Sequence, residues 1–197
     1  AAKISGTLSG VANAIPATPL AQTSDGKTLA VGDANNQVVL IDLEPLAVRT
    51  RLAGHAAPIQ GLDFSSDGKT LASFDADTKM IKVWDVASSS EKKTIKTSGR
   101  PLTGLKFVPG GQMLITGGPE VTFWSAETGE KLHVLSERNF NAMAITLSAD
   151  GKTLATAGNI YTMNANANTR GFTISADRIA VVTLGSFTLT YDGGVTN

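Results

Sequence analysis

Ser66-Asp67-Gly68-Lys69-Thr70-Leu71-Ala72 has two close copies in this 197-residue chain, Ser24-Asp25-Gly26-Lys27-Thr28-Leu29-Ala30 and Ala149-Asp150-Gly151-Lys152-Thr153-Leu154-Ala155. A weaker version, Pro109-Gly110-Gly111-Gln112-Met113-Leu114, stands between the second and third. With Asp25, Asp67, Gly110 and Asp150 as markers, the spacings are 42, 43 and 40 residues. Each copy reads as a tight turn, since Asp and Gly favour the backbone angles that turns need, followed at once by an apolar strand.

Working outward from the second copy fills one period. Ile59-Gln60-Gly61-Leu62-Asp63-Phe64 alternates as a strand before the turn, and Leu71-Ala72-Ser73-Phe74 is a second strand after it. Asp75 to Lys79 turns the chain, Met80-Ile81-Lys82-Val83-Trp84-Asp85 is a third strand, and Lys93-Thr94-Ile95-Lys96 a fourth. No apolar stripe holds a 3.6-residue period over three turns, so helices are not expected. A period in the low forties carrying four strands is that of a β-propeller blade.

Gly54-His55 ahead of this blade, Asp67-Gly68-Lys69-Thr70 in its first turn and Trp84-Asp85 closing its third strand resemble a WD40 repeat. Ile41-Asp42, Trp124-Ser125 and Tyr191-Asp192 are degenerate forms of the Trp-Asp pair. The first copy, with Gln37-Val38-Val39-Leu40-Ile41-Asp42, is also similar to propeller repeats of bacterial and archaeal surfaces. The resemblance covers residues 11–158 best. It implies an all-β chain, a β-propeller of four-stranded antiparallel blades.

The expected blades are 11–55, 56–98, 99–136, 137–169 and 170–197, the last closed by residues 1–10. Phe172 to Asp177, Arg178 to Val182 and Phe187 to Asp192 read as three strands of that last blade. Lys3 to Gly10, which parallels Arg49 to Gly54, supplies its fourth and hides two open sheet edges. The fourth blade is short: Asp150 to Asp177 is 27 residues, with Ile160 to Met163 as its expected third strand. Completion of a larger ring by another chain is the alternative.

Composition narrows the function. Formal net charge is zero, so electrostatics gives no reason to expect nucleic acid or an anionic membrane. Charged residues are 17%, below the ~25% usual in soluble domains, while 42% apolar residues suffice for a core. There is no cysteine, which excludes disulfides, thiol catalysis and cysteine metal sites. No apolar stretch reaches the ~20 residues of a membrane span. The start Ala1-Ala2-Lys3 has the small residues that a cleaved signal peptide leaves, and a periplasmic or extracellular setting is favoured over the cytoplasm.

The resemblance also implies a buried hydrogen-bonded chain of His55, Ser73, Asp77 and Trp84, structural rather than catalytic. His133 reads as a solvent-facing strand residue, and Ser88 to Lys93 as a solvated loop. Asp33-Ala34-Asn35-Asn36-Gln37 and Asp75-Ala76-Asp77 have oxygens at alternate positions. They lack the glycine that a calcium loop needs, so turn chemistry is the better reading. No nucleophile elbow, phosphate loop or histidine pair is present, and no catalytic residue, cofactor or metal is assigned.

Propellers of this kind bind partners through loops flanking each first strand. The matching positions are Arg100 after the second blade and Arg138, Asn139 and Phe140 after the third, residue types enriched in binding hot spots. The expected function is a protein-interaction scaffold. The alternative is a periplasmic or extracellular enzyme subunit, or a carbohydrate- or ligand-binding propeller, with a cofactor or metal near the channel.

Overall fold

The computed structural model describes residues 19–75, 80–97, 101–135, 142–151, 153–158, 172–174 and 179–183. The chain divides into two compact units, residues 1–98 and 99–197, and each is described by itself. Every described element is a strand. No described helix is long and apolar enough to cross a membrane.

The first unit holds two sheets. One runs β1(Leu20–Gln22), β2(Thr28–Gly32), β3(Val38–Leu43), β4(Leu46–Leu52), and the other β5(Ile59–Phe64), β6(Thr70–Asp75), β7(Met80–Asp85), β8(Ser90–Lys96). Both pair in sequence order and antiparallel throughout, as a meander of short turns allows. The fourth strand of the second sheet starts at Ser90, so the stretch expected as a loop is already paired from that residue onward. Two β-branched, apolar strands, β3 and β7, lie inside their sheets with four consecutive buried residues each, as strands covered on both faces require.

The core between these sheets joins Ala30, Val38, Leu40 and Leu52 of the first to Ile59, Leu62, Phe64, Leu71, Trp84 and Val86 of the second or its flanks. Leu71 is fully buried, which on its own is worth ~2 kcal/mol of transfer free energy. Packing is tight enough that Gly61 is obligatory: a Cβ there would lie 2.0 Å from the ring of Phe74.

The second unit holds β9(Gly104–Phe107), β10(Met113–Gly117), β11(Val121–Ser125) and β12(Lys131–Leu135), again in sequence order. Its other sheet departs from that order. β13(Ala142–Leu147) and β14(Thr153–Gly158) are followed in the sheet by β16(Ile179–Thr183), with β15(Phe172–Ile174) outermost. The segments expected to open a separate fifth blade therefore pair into the fourth sheet. β14 needs a third strand, and Ile179-Ala180-Val181-Val182-Thr183 has the apolar, mostly β-branched composition of a strand inside a sheet. Ile160–Met163, expected in that place, and Lys3–Gly10 lie outside the described residues.

The repeated turns share one hydrogen-bond cage. Thr23, Ser65 and Ser148 each donate their hydroxyl to Asp25, Asp67 and Asp150, respectively, at 2.6 Å. The same hydroxyls accept the amides of Thr28, Thr70 and Thr153 at 2.9–3.0 Å. The hydroxyls of Thr23 and Ser65, and after them the amides of Lys27 and Lys69, hold the Asp25 and Asp67 carboxyls below their usual range. In the Pro109-Gly110-Gly111 copy Val108 replaces the hydroxyl residue, and the turn closes on the backbone bond from the Gly111 amide to the Val108 carbonyl.

Candidate functional site

The four residues expected to bind a partner, Arg100, Arg138, Asn139 and Phe140, lie outside the described residues. Their immediate downstream anchors are described, and both belong to the second unit. After Arg100, the Thr103 amide donates to the Gly117 carbonyl at 3.0 Å. After Phe140, the Ala142 amide donates to the Gly118 carbonyl at 2.7 Å. The Thr103 hydroxyl then donates to the Ala142 carbonyl, joining the two anchors directly. Gly118 makes this possible. Its φ of +155° is open to glycine, and a Cβ would sit 2.9 Å from the Pro101 carbonyl oxygen.

In the second blade His55 holds the centre of a buried polar chain. The Trp84 indole N–H donates to Ser73 Oγ at 2.8 Å, and Ser73 Oγ lies 2.7 Å from His55 Nε2. His55 Nδ1 lies 2.7 Å from Asp75 Oδ2, and both side chains are wholly buried. With Nδ1 carrying the proton, every group is satisfied in one direction, Trp to Ser to His to Asp. The carboxylate is Asp75, not the expected Asp77, which lies outside the described residues. Ser73 and Asp75 are two apart on β6, so strand periodicity sets both on one face.

Serine, histidine and aspartate in this order have the connectivity of a hydrolytic triad. Ser73 is fully buried and its oxygen already accepts the indole N–H, so no substrate carbonyl reaches it. Burial lowers the His55 pKa, against the opposing pull of Asp75, and the ring stays neutral. The arrangement is a staple.

Lys82 covers its open side. Its ammonium binds Glu91 at 2.6 Å and Thr94 at 3.1 Å and lies 5.7 Å from the Trp84 ring centroid. The Glu91 carboxyl is held low by Lys82 and then by Thr94. Gly54 is fitted against both, since a Cβ there would meet Lys82 Cε at 3.2 Å and Trp84 Cη2 at 3.6 Å. This ammonium cap was not read from the sequence, where Lys82 is one charged residue in an apolar strand.

The other sheets keep fragments of the staple. In the third, Trp124 Nε1 donates to Thr116 Oγ1 at 2.9 Å, with Gly118 where Asp75 would be. In the fourth, Thr156 holds the place of Ser73, but register sets Val182, not tryptophan, opposite Leu154. The buried Thr156 hydroxyl accordingly has no hydrogen-bond partner.

Other expected positions resolve into structure. Asp33 Oδ1 accepts the amides of Asn35 and Gln37 at 2.9 Å, which is turn chemistry. His133 is not solvent-facing: it is half-buried, tilted at 5.8 Å against Phe123, and burial lowers its pKa. Among the described residues no cluster of three His, Cys, Asp or Glu could hold a metal. A cleft of about 320 Å³ in the first unit lies between the paired turns, lined by Asp25, Asp67, Arg49 and Lys69 in balanced charge.

Comparison with known proteins agrees with the second blade. Residues 46–85 match the WD40 family, WD domain, G-beta repeat. Over 88 residues the chain is 30% identical to apoptotic protease-activating factor 1 of Homo sapiens, covering 41% of this chain and 7% of that protein. The fold is similar to that of Kuenenia stuttgartiensis hydrazine synthase, TM-score 0.64 at 22% identity, over 77% of this chain and 45% of that one. The chain thus spans less than half the length of either relative, and the second likeness is one of fold alone.

Proposed function

From a WD40 repeat domain as the premise, we propose that this chain is a protein-interaction scaffold, its sheets the blades of a β-propeller. In this reading Arg100 together with Arg138, Asn139 and Phe140 form one binding surface for a partner protein. What supports it is the single bond from the Thr103 hydroxyl to the Ala142 carbonyl, because it ties the segments following both groups of residues to one point. Arginine and aromatic side chains are among the residue types enriched in protein hot spots.

The staple in the second blade favours a scaffold over a hydrolase, because its serine is committed to Trp84 and His55. Affinity capture with the tagged chain, followed by mass spectrometry, tests the proposal. The wild type should retain a discrete protein partner that the Arg100→Ala/Arg138→Ala/Phe140→Ala variant, equally folded by circular dichroism, releases. A partner held equally by both forms would contradict it.

A further inference from the structure

The first strands of two blades carry an extra residue at the same place. In β13 the pairing steps from Ala142 with Gly158 to Ala144 with Ala157, so the ladder passes over Met143. In β5 it steps from Ile59 with Asp75 to Gly61 with Phe74, and Gln60 is passed over. The two match in the repeat, each standing 7 residues before the aspartate of its turn, Asp150 or Asp67. A bulge of this kind bends its strand and re-aims the side chain that it carries. In both strands the residue before it is buried and the bulged residue is exposed.

What the two bulges present differs. Gln60 is polar and suits water. Met143 is a large apolar side chain left 58% exposed. The bulge itself does not ask for an apolar residue, since β5 makes the same one with glutamine. Met143 is also held in place from both sides. Ala142 before it is fully buried, with its amide on the Gly118 carbonyl and its own carbonyl accepting the Thr103 hydroxyl. Ala144 after it pairs with Ala157. The methionine therefore follows directly on the joint that anchors the proposed partner surface, three residues after Phe140 in the chain.

We propose that Met143 is the apolar contact of that surface, and that the partner protein seats an apolar side chain on it. This rests on the scaffold reading above and adds the chemistry of the partner. An unbranched side chain with a polarisable sulfur moulds to an aliphatic or an aromatic group, and methionine is enriched at protein interfaces alongside arginine and aromatic residues. It carries no charge and no N–H or O–H. A charged group set down on it would lose its water with nothing in return.

Calorimetric titration of the captured partner into the wild-type chain, Met143→Lys, Met143→Leu and Gln60→Lys tests this. Met143→Lys should bind at least ~10-fold more weakly, because it buries a lone charge. Met143→Leu keeps an apolar side chain of similar volume and should stay within ~3-fold of the wild type. Gln60→Lys puts the same charge on the matching bulge of the first unit and should bind as the wild type does. All three should melt as the wild type does, since both side chains are exposed. Wild-type affinity in Met143→Lys would overturn the proposal, and would leave the scaffold reading standing if Arg100→Ala/Arg138→Ala/Phe140→Ala still releases the partner. A loss in Met143→Leu or in Gln60→Lys as large as that in Met143→Lys would overturn it too.

Discussion

Ser73 receives the indole N–H of Trp84 at 2.8 Å, and this one bond fixes which way the buried chain of the second blade runs. With the serine oxygen accepting from tryptophan, its proton goes to His55 and the histidine proton to Asp75. Removing the middle of this chain strands groups on both sides. His55→Ala should destabilise the first unit by roughly 2–4 kcal/mol, since Ser73 and a buried carboxylate lose partners. Asp75→Asn should lower the melting temperature clearly and Asp77→Asn hardly at all. Equal effects of the two would restore Asp77 to the chain.

The staple also sets a pH dependence. Burial depresses the His55 pKa in the folded protein, with Asp75 and Glu91 opposing and Lys82 adding to the depression. Below the ordinary histidine pKa of about 6.5 the unfolded chain takes up a proton that the folded chain resists. Stability is therefore full above that pH and declines as pH falls from it toward the folded value. Asp25, Asp67, Asp85 and Glu91 have depressed pKa values and add a separate loss at lower pH, below their ordinary values of 3.8 and 4.5. Urea melts from pH 8 to 5 should show the histidine step, to which His133, also depressed by burial, adds, and His55→Gln should reduce it. A step undiminished by this substitution would assign it elsewhere.

Thr116 and Thr156 occupy the same place in neighbouring sheets and should respond oppositely to one substitution. Thr116→Val leaves the Trp124 N–H without an acceptor and should cost about 1–3 kcal/mol. Thr156→Val removes a buried hydroxyl that has no partner and should stabilise by up to about 1 kcal/mol. Thermal melts of both variants decide it; shifts of the same sign would contradict the assignment.

Gly61→Ala drives a methyl into the Phe74 ring and should cost about 1–3 kcal/mol. Gly110→Ala meets nothing within 4 Å and pays only for its φ of +98°, so its cost should be smaller. Denaturant midpoints for the pair should keep this order.

The blades of the first unit were legible because three copies of Asp-Gly-Lys-Thr set a period and each apolar run had a length suited to a strand. The staple was legible as to His55, Ser73 and Trp84. It went astray at the acid because two aspartates stand two residues apart, and only the pairing of Ile59 with Asp75 keeps the nearer one inside the strand. The fourth sheet was not legible for a different reason. Its third strand comes from 179–183 across a long excursion, and a non-local pairing leaves no mark in local periodicity. His133 misled because strand alternation says which face a residue is on, not whether Phe123 waits there.

The most direct test of the scaffold reading is calorimetric titration of the captured partner into three forms of the chain. These are the wild type, Arg100→Ala/Arg138→Ala/Phe140→Ala, and Lys27→Ala/Lys69→Ala in the turns at the other end of their strands. Binding should be at least ~10-fold weaker for the first variant and of wild-type affinity for the second. Wild-type affinity in the first, or an equal loss in both, would contradict it.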